Sequence, residues 1–313
     1  MSPKILVVGA GAIGGLFGAR LAEAGRDVTF LVRPHRAKAL RESGLKIKSV
    51  LGDLTLEPKL VSKEDLTGTF DIILLSVKAY TLDAAMADFA PAVGPTTVIL
   101  PLLNGMSHIS ALTGRFGKAV IGGICRAVVQ LDGDGTIIQT NPLQQILYGE
   151  LDGSVTPRIE ALHQTLSIPD VDASLSTQIV QDLWEKWVQL ASLGAITCLL
   201  GGSIGEVAAE PMGVEVASAI FNECLQIAAA CGHSPSEAFQ RDNAAAMTKA
   251  GSTATSSMYR DKAAGRPVEV DHIIGDLIAV AKDAEMTAPS LLQAAFVTLR
   301  IYQATLKKIG PND

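Results

Sequence analysis

The sequence predicts an α/β protein in which a parallel-sheet domain comes first, over residues 1–175, and an all-helical domain follows over 176–313. Three observations lead there. Short apolar runs of strand length punctuate the first half, at residues 4–8, 27–32, 70–77 and 97–100. The first of these passes directly into Gly9-Ala10-Gly11-Ala12-Ile13-Gly14 and then into helical periodicity over residues 16–22. From Thr177 onward strand signals nearly vanish, and a 3.6-residue period dominates to Lys308.

Strand, glycine turn, helix is the order that a Rossmann-type nucleotide-binding domain requires. Gly9 is expected to make the tight turn, Gly11 to let the backbone approach a pyrophosphate, and Gly14 to let the helix pack on its strand. The free N–H groups and positive dipole end of the helix would face the phosphates. Gly9, Ala10, Gly11, Ala12, Ile13 and Gly14 are therefore candidate cofactor-binding residues. At the far end of the second strand stands Arg33, where an NAD-binding fold usually places an acid for the adenosine ribose. A guanidinium there grips a 2′-phosphate instead. With Arg36 and Lys38 nearby, it favours NADP(H) over NAD(H), the alternative being a solvated basic loop. Asp27 precedes the strand and does not compete.

The chain has 313 residues, 48% of them hydrophobic, enough for two domains with ordinary cores. A formal charge of −6 speaks against nucleic-acid and membrane-surface roles. No apolar run has the length of a membrane span, and the N-terminus enters a strand without a signal peptide's basic and apolar regions, so a cytoplasmic protein is expected. Cys125, Cys198, Cys224 and Cys231 are scattered without a C-x-x-C pair, and His233 lacks a second ligand pair. They are read as buried free thiols, and no metal is expected.

Residues 45–50 and 54–57 alternate like a hairpin. The strand at 70–77 ends in Lys78, and the one at 97–100 runs on to Asn104-Gly105; both lie at carboxyl-end loops, where ligands collect, the plain alternatives being a strand cap and, by default, a tight turn. Segments 119–131, 135–139 and 145–148 are expected to complete one sheet of mixed direction. The helical half opens at 179–200, with further helices near 212–231, 236–249, 272–284 and 290–306. The first is apolar almost all round and therefore buried, yet it carries Lys186 between Trp184 and Trp187. Either Lys186 snorkels outward to pair with Asp182, or it is a partly desolvated ammonium and a candidate proton donor. Residues 251–257 form a small polar loop, and Glu269 lies twelve residues beyond Ser257.

Taken in order, G-A-G-A-I-G, Arg33, V-K-A-Y at 77–80, Asn104-Gly105, W-x-K at 184–186 and S-S-M at 256–258 with Glu269 resemble the ketopantoate reductase (2-dehydropantoate 2-reductase) family over nearly the whole chain. The resemblance implies that the glycines hold the pyrophosphate, Arg33 the 2′-phosphate, and that Lys78 lies near the cofactor. It implies that Asn104 lies close to both nicotinamide and substrate, and that Ser257 holds the substrate carboxylate. Lys186 would touch the substrate as general acid, with Glu269 as its catalytic partner, while the helical domain closes over the substrate. The implied activity is NADPH-dependent reduction of a 2-oxo acid, with 2-dehydropantoate, the precursor of pantoate in pantothenate biosynthesis, as leading substrate. The family pattern breaks where substrate-binding asparagines are expected: those positions hold Leu190, Gly194 and Ala254. A reductase of a more apolar 2-oxo acid and a non-catalytic NADP(H)-binding sensor therefore stay as alternatives. The expected partner is a small-molecule substrate, and a homodimer is left open.

Overall fold

Strand β1 (Lys4–Val8) buries Ile5 and Val7 on one face and Leu6 and Val8 on the other, as a strand must when both sides of its sheet are covered. The computed structural model describes residues 2–309. After β1 come α1 (Ala12–Glu23), β2 (Asp27–Leu31), α2 (Pro34–Ser43), β3 (Leu45–Ser49), β4 (Leu54–Leu56), β5 (Lys59–Val61) and β6 (Phe70–Leu75). Next are α3 (Leu82–Phe89), β7 (Val93–Pro101), α4 (Ser107–Phe116), β8 (Gly122–Leu131), β9 (Ile137–Gly149), α5 (Pro157–Leu166) and β10 (Asp172–Leu175). The chain divides into two units, Met1–Leu103 with His108–Val180, and Asn104–Ser107 with Gln181–Asp313.

In the first unit the sheet order is β5-β2-β1-β6-β7, with every pairing parallel. The order reverses between β1 and β6, and a crevice opens beyond the carboxyl ends of strands at such a switch point. Residues 33–38 are not a basic loop: Arg33 is the N-cap of α2 and Pro34 its first residue, a position where a fixed φ costs the helix nothing.

The single mixed sheet expected from the sequence is instead two sheets. β7 makes one bridge beyond its parallel neighbour, Ile99 to Val120, and the Ile121 amide donates to the Ile99 carbonyl at 3.1 Å. The ladder then ends, and Gly122 and Gly123 open β8; Gly123 lies so close to Leu100 and Pro101 that no Cβ fits. β8 pairs antiparallel with β9, in a second sheet ordered β10-β9-β3-β4. The hairpin read at 45–57 is β3 with β4, and it joins this second sheet through parallel pairing of β3 with β9. Segments 135–139 and 145–148, read as separate strands, are parts of the single strand β9. Its Pro142 is tolerated because the register shifts there: Gln139 pairs with Val129 and Gln144 with Ala127, leaving a bulge that needs no donor from proline. Beyond β9, Glu150 is buried and accepts from Thr156 Oγ1 at 2.6 Å and from Arg158 Nε at 2.7 Å, which ties the strand end to the start of α5.

The second unit is helical: α6 (Ile179–Leu200), α7 (Ile204–Ala209), α8 (Gly213–Ala230), α9 (Glu237–Met247), α10 (Ser257–Ala263), α11 (Asp276–Asp283) and α12 (Ser290–Ile309). α8 packs against α7, α9, α11 and α12, and its Glu223 carboxylate accepts the free amides of Leu291 and Leu292 at 3.1 and 2.9 Å, capping α12 from outside the helix. The helix read from His272 begins instead with a π turn, Asp271–Gly275, before α11. Cys125, Cys198 and Cys224 are buried free thiols, whereas Cys231 is only partly covered. Among the described residues no helix is long and apolar enough to cross a membrane, and no cluster of three His, Cys, Asp or Glu side chains is poised for a metal.

Hydrogen bonds from Arg158, before those from Thr156, hold the Glu150 carboxyl below the usual carboxylate range. A depressed folded-state value means the stabilisation is present at neutral pH and is lost as pH falls through it. Glu150→Gln should therefore cost about 1–2 kcal/mol at pH 7, with the difference from wild type shrinking below about pH 4; urea melts at the two pH values check this.

Candidate active site

Three glycines shape the end of β1 for different steric reasons. Gly9 has φ +97°, and a Cβ there would stand 2.7 Å from the carbonyl oxygen of Ser76, at the end of the neighbouring strand β6. At Gly14, in the first turn of α1, a Cβ would run into the Gly9 carbonyl and stand 3.1 Å from Ser76 Cβ, so a side chain would drive the helix off the sheet. Gly11, the N-cap of α1, has nothing within 4 Å of where its Cβ would be. The open side of the turn is thus at Gly11, where amides of the helix start are free to meet a phosphate.

A cavity of about 810 Å³ lies there, lined by Gly9, Ala10, Gly11, Arg33 and Lys78 among others. Of the remaining predicted cofactor residues of this unit, Ala12 and Ile13 form the first turn of α1, and Gly14 works behind it. Arg33 is exposed at the mouth, directly after Val32. Asp27 stands at the opposite end of β2, paired with Lys59 at 2.7 Å. Directly after β2, where an adenosine ribose is held in this fold, the cavity thus presents a cation, while Glu64 and Asp88 line it elsewhere.

Arg36 is the residue that reading the sequence undervalued. It lines the same cavity, and its Nε and Nη2 donate to the carbonyls of Ala10 at 3.3 Å and Gly135 at 3.2 Å. It thereby ties the glycine turn to the β8–β9 turn, and burial lowers its pKa from the ordinary guanidinium value. The available signal was its spacing, one helical turn after Arg33 on the same face of α2.

In the helical unit, Lys186 and Glu269 are buried, at 6% and 5% exposure. The snorkelled reading of Lys186 is thereby removed. Trp187 donates from Nε1 to the Ile273 carbonyl at 2.8 Å, and Trp184 stacks on His233, so the two indoles beside Lys186 fix the rotation of α6. The acceptor belongs to the π turn, a break in regular helix of a kind that often accompanies function. Glu269 lies two residues before this turn. Its neighbour Val268 is clamped by the amide of Gln303, which accepts from the Val268 N–H at 3.1 Å and donates to its carbonyl at 3.2 Å.

The Asn104–Ser107 turn belongs to this helical unit, with Gly105 (φ +79°) so close to the His272 carbonyl that a Cβ would stand 2.5 Å from it. Ser257 is half-buried at the first position of α10. The N-cap, Ser256, is the buried one of the pair, bonded to Thr197 Oγ1 of α6 at 2.9 Å. Asn104, Lys186, Ser257 and Glu269 thus fall in one unit, and Gly9, Ala10, Gly11, Arg33 and Lys78 in the other. Of the positions that break the family pattern, Leu190 is half-buried, Ala254 is exposed, and Gly194 lies under the methyl group of Met258.

Two family models match this chain: ketopantoate reductase PanE/ApbA over residues 5–153, and the C-terminal domain of the same family over residues 178–300. The chain is 36% identical over 302 residues to the uncharacterized oxidoreductase YkpB of Bacillus subtilis (strain 168), covering 96% of this chain and 99% of that one. Among solved structures it is similar to the 2-dehydropantoate 2-reductase of Geobacter metallireducens GS-15, with TM-score 0.85, 26% identity and coverage of 95% and 99%. It also shares the fold of a D-mandelate dehydrogenase solved with NADH and anilino(oxo)acetate, with TM-score 0.84, 20% identity and coverage of 97% and 99%.

The steric difference between two glycines is testable. Gly14→Ala should lower Tm by about 4 °C or more, because backbone has to move. Gly11→Ala should leave Tm within about 1 °C of wild type and weaken dinucleotide binding about tenfold. Calorimetry and cofactor fluorescence titration separate the two effects.

Proposed function

Because this chain belongs to the ketopantoate reductase family of oxidoreductases, we propose that it uses NADPH to reduce the ketone of a 2-oxo acid to a 2-hydroxy acid. Members of the family bind NAD(P)H, and the glycine turn and open cavity of the first unit fit such a dinucleotide. Arg33 favours the phosphorylated form. The observation that carries the catalytic reading is the burial of Lys186, at 6% exposure, on a helix shared with no other lysine or arginine.

When bound, the reduced nicotinamide supplies a hydride to the ketone carbon. Negative charge grows on the ketone oxygen, and the Lys186 ammonium both stabilises that charge and gives up the proton that completes the hydroxyl. Glu269 holds the ammonium in position, Ser257 bonds the substrate carboxylate, and the Asn104 amide fixes the carbonyl beside the ring. Support for these roles comes from the placement of all four in one unit and from the clamping of the Glu269 segment by Gln303.

2-Dehydropantoate, the acid for which relatives are named, is the first substrate to offer. The fold does not dictate the substituent, since D-mandelate dehydrogenase shares it and was solved with anilino(oxo)acetate.

Lys186→Ala should keep NADPH affinity and lower kcat about 10²-fold or more; full turnover in that variant removes the general-acid role. Arg33→Asp should weaken NADPH far more than NADH in direct titration, by about tenfold or more in the ratio of Kd values, and equal losses would remove the 2′-phosphate argument. Tight cofactor binding without NADPH consumption against a panel of 2-oxo acids would identify a sensor instead.

A further inference from the structure

The surroundings of Lys186 on α6 bear on which 2-oxo acid is reduced. Leu190, Leu193 and Thr197 follow Lys186 at intervals of four, seven and eleven residues, so the four side chains form one stripe. On a helix buried almost all round, Leu190 and Leu193 are only half-buried, which marks the accessible part of that stripe. Two polar side chains of the helix beside it are committed to protein partners. The Thr197 hydroxyl bonds the Leu193 carbonyl at 2.7 Å and Ser256 Oγ at 2.9 Å, and Gln189 donates its amide to Asn243 Oδ1 at 3.1 Å. Gly194 contributes no side chain, and the methyl group of Met258 takes the space where one would begin. A group lying along the stripe beyond the Lys186 amine therefore meets aliphatic surface. A hydroxyl placed there gives up its water and gains no partner, whereas a methyl group loses nothing.

Building on the reading of Lys186 as the proton donor, we infer that the subsite for the substituent on the ketone carbon is apolar, walled by Leu190 and Leu193, with the buried Met258 backing it at Gly194. The enzyme accordingly takes 2-oxo acids with plain hydrocarbon side chains in preference to hydroxylated ones, and Leu190 is the residue that sets this choice.

A matched pair of acids tests it: 2-dehydropantoate, and 3,3-dimethyl-2-oxobutanoate, in which a methyl group replaces the hydroxymethyl. With the purified full-length protein and NADPH, kcat/KM should be higher for the hydrocarbon acid by about tenfold or more. Leu190→Asn should move the ratio of the two kcat/KM values toward the hydroxylated acid by about tenfold, while Leu190→Met leaves the ratio in place. A purely structural effect of either substitution lowers both acids together and leaves their ratio unmoved. Equal use of the two acids, a preference for 2-dehydropantoate, or an unmoved ratio in Leu190→Asn overturns the apolar subsite and leaves the reductase reading standing. NADPH oxidation with neither acid, nor with any of a panel of 2-oxo acids, overturns the reductase reading and this inference with it.

Discussion

The first unit depends on the closeness of two strand ends and one helix start. Gly9 turns directly against the Ser76 carbonyl, Gly14 lies on the Gly9 carbonyl, and there is no room for a side chain at either place. That contact sets the distance between α1 and its sheet and leaves the first amides of the helix facing the crevice where the strand order reverses. Arg36 reinforces the turn from outside by bonding the Ala10 and Gly135 carbonyls, so one guanidinium joins both sheets of the unit at the rim of the cavity.

The helical unit solves a different problem, that of keeping a lysine amine inside an apolar helix. The aromatic neighbours of Lys186 are both engaged, Trp187 with the π turn and Trp184 with His233, so α6 cannot rotate to release the lysine to water. The π turn widens the helix start just after Glu269, and α12 holds that segment through Gln303 on Val268 and Arg300 on Asp271. Burying a lysine and a glutamate is costly to the fold unless they are paired, and such groups concentrate at functional sites, which is why they attract a catalytic reading.

Where the sequence misled, the cause was pairing between distant segments. The alternation in residues 45–57 correctly marks a hairpin, yet nothing local says that β3 will pair with β9, some ninety residues away, and so belong to a second sheet. Segments 135–139 and 145–148 read as separate strands, and only the register shift opposite Pro142 shows how one strand passes through both. The alternative of a solvated basic loop for Arg33 and Arg36 fails because Pro34 is the first residue of a helix.

The sequence by itself determined what depends on short range: the strand, glycine turn and helix at the start, the run of amphipathic helices after Thr177, and the chemical types available, a lysine between two tryptophans, a glutamate and an arginine after the second strand. Periodicity and steric size act over a few residues and are written in their order. Only the tertiary structure decided that Lys186 is buried rather than snorkelled, that the Asn104 turn joins the helical unit, that Ser256 caps α10 while Ser257 stays half-buried, and that Met258 fills the slot at Gly194. Each of these rests on contact between segments far apart in the chain, and burial at a given residue is a property of the neighbours that arrive there, not of the residue alone.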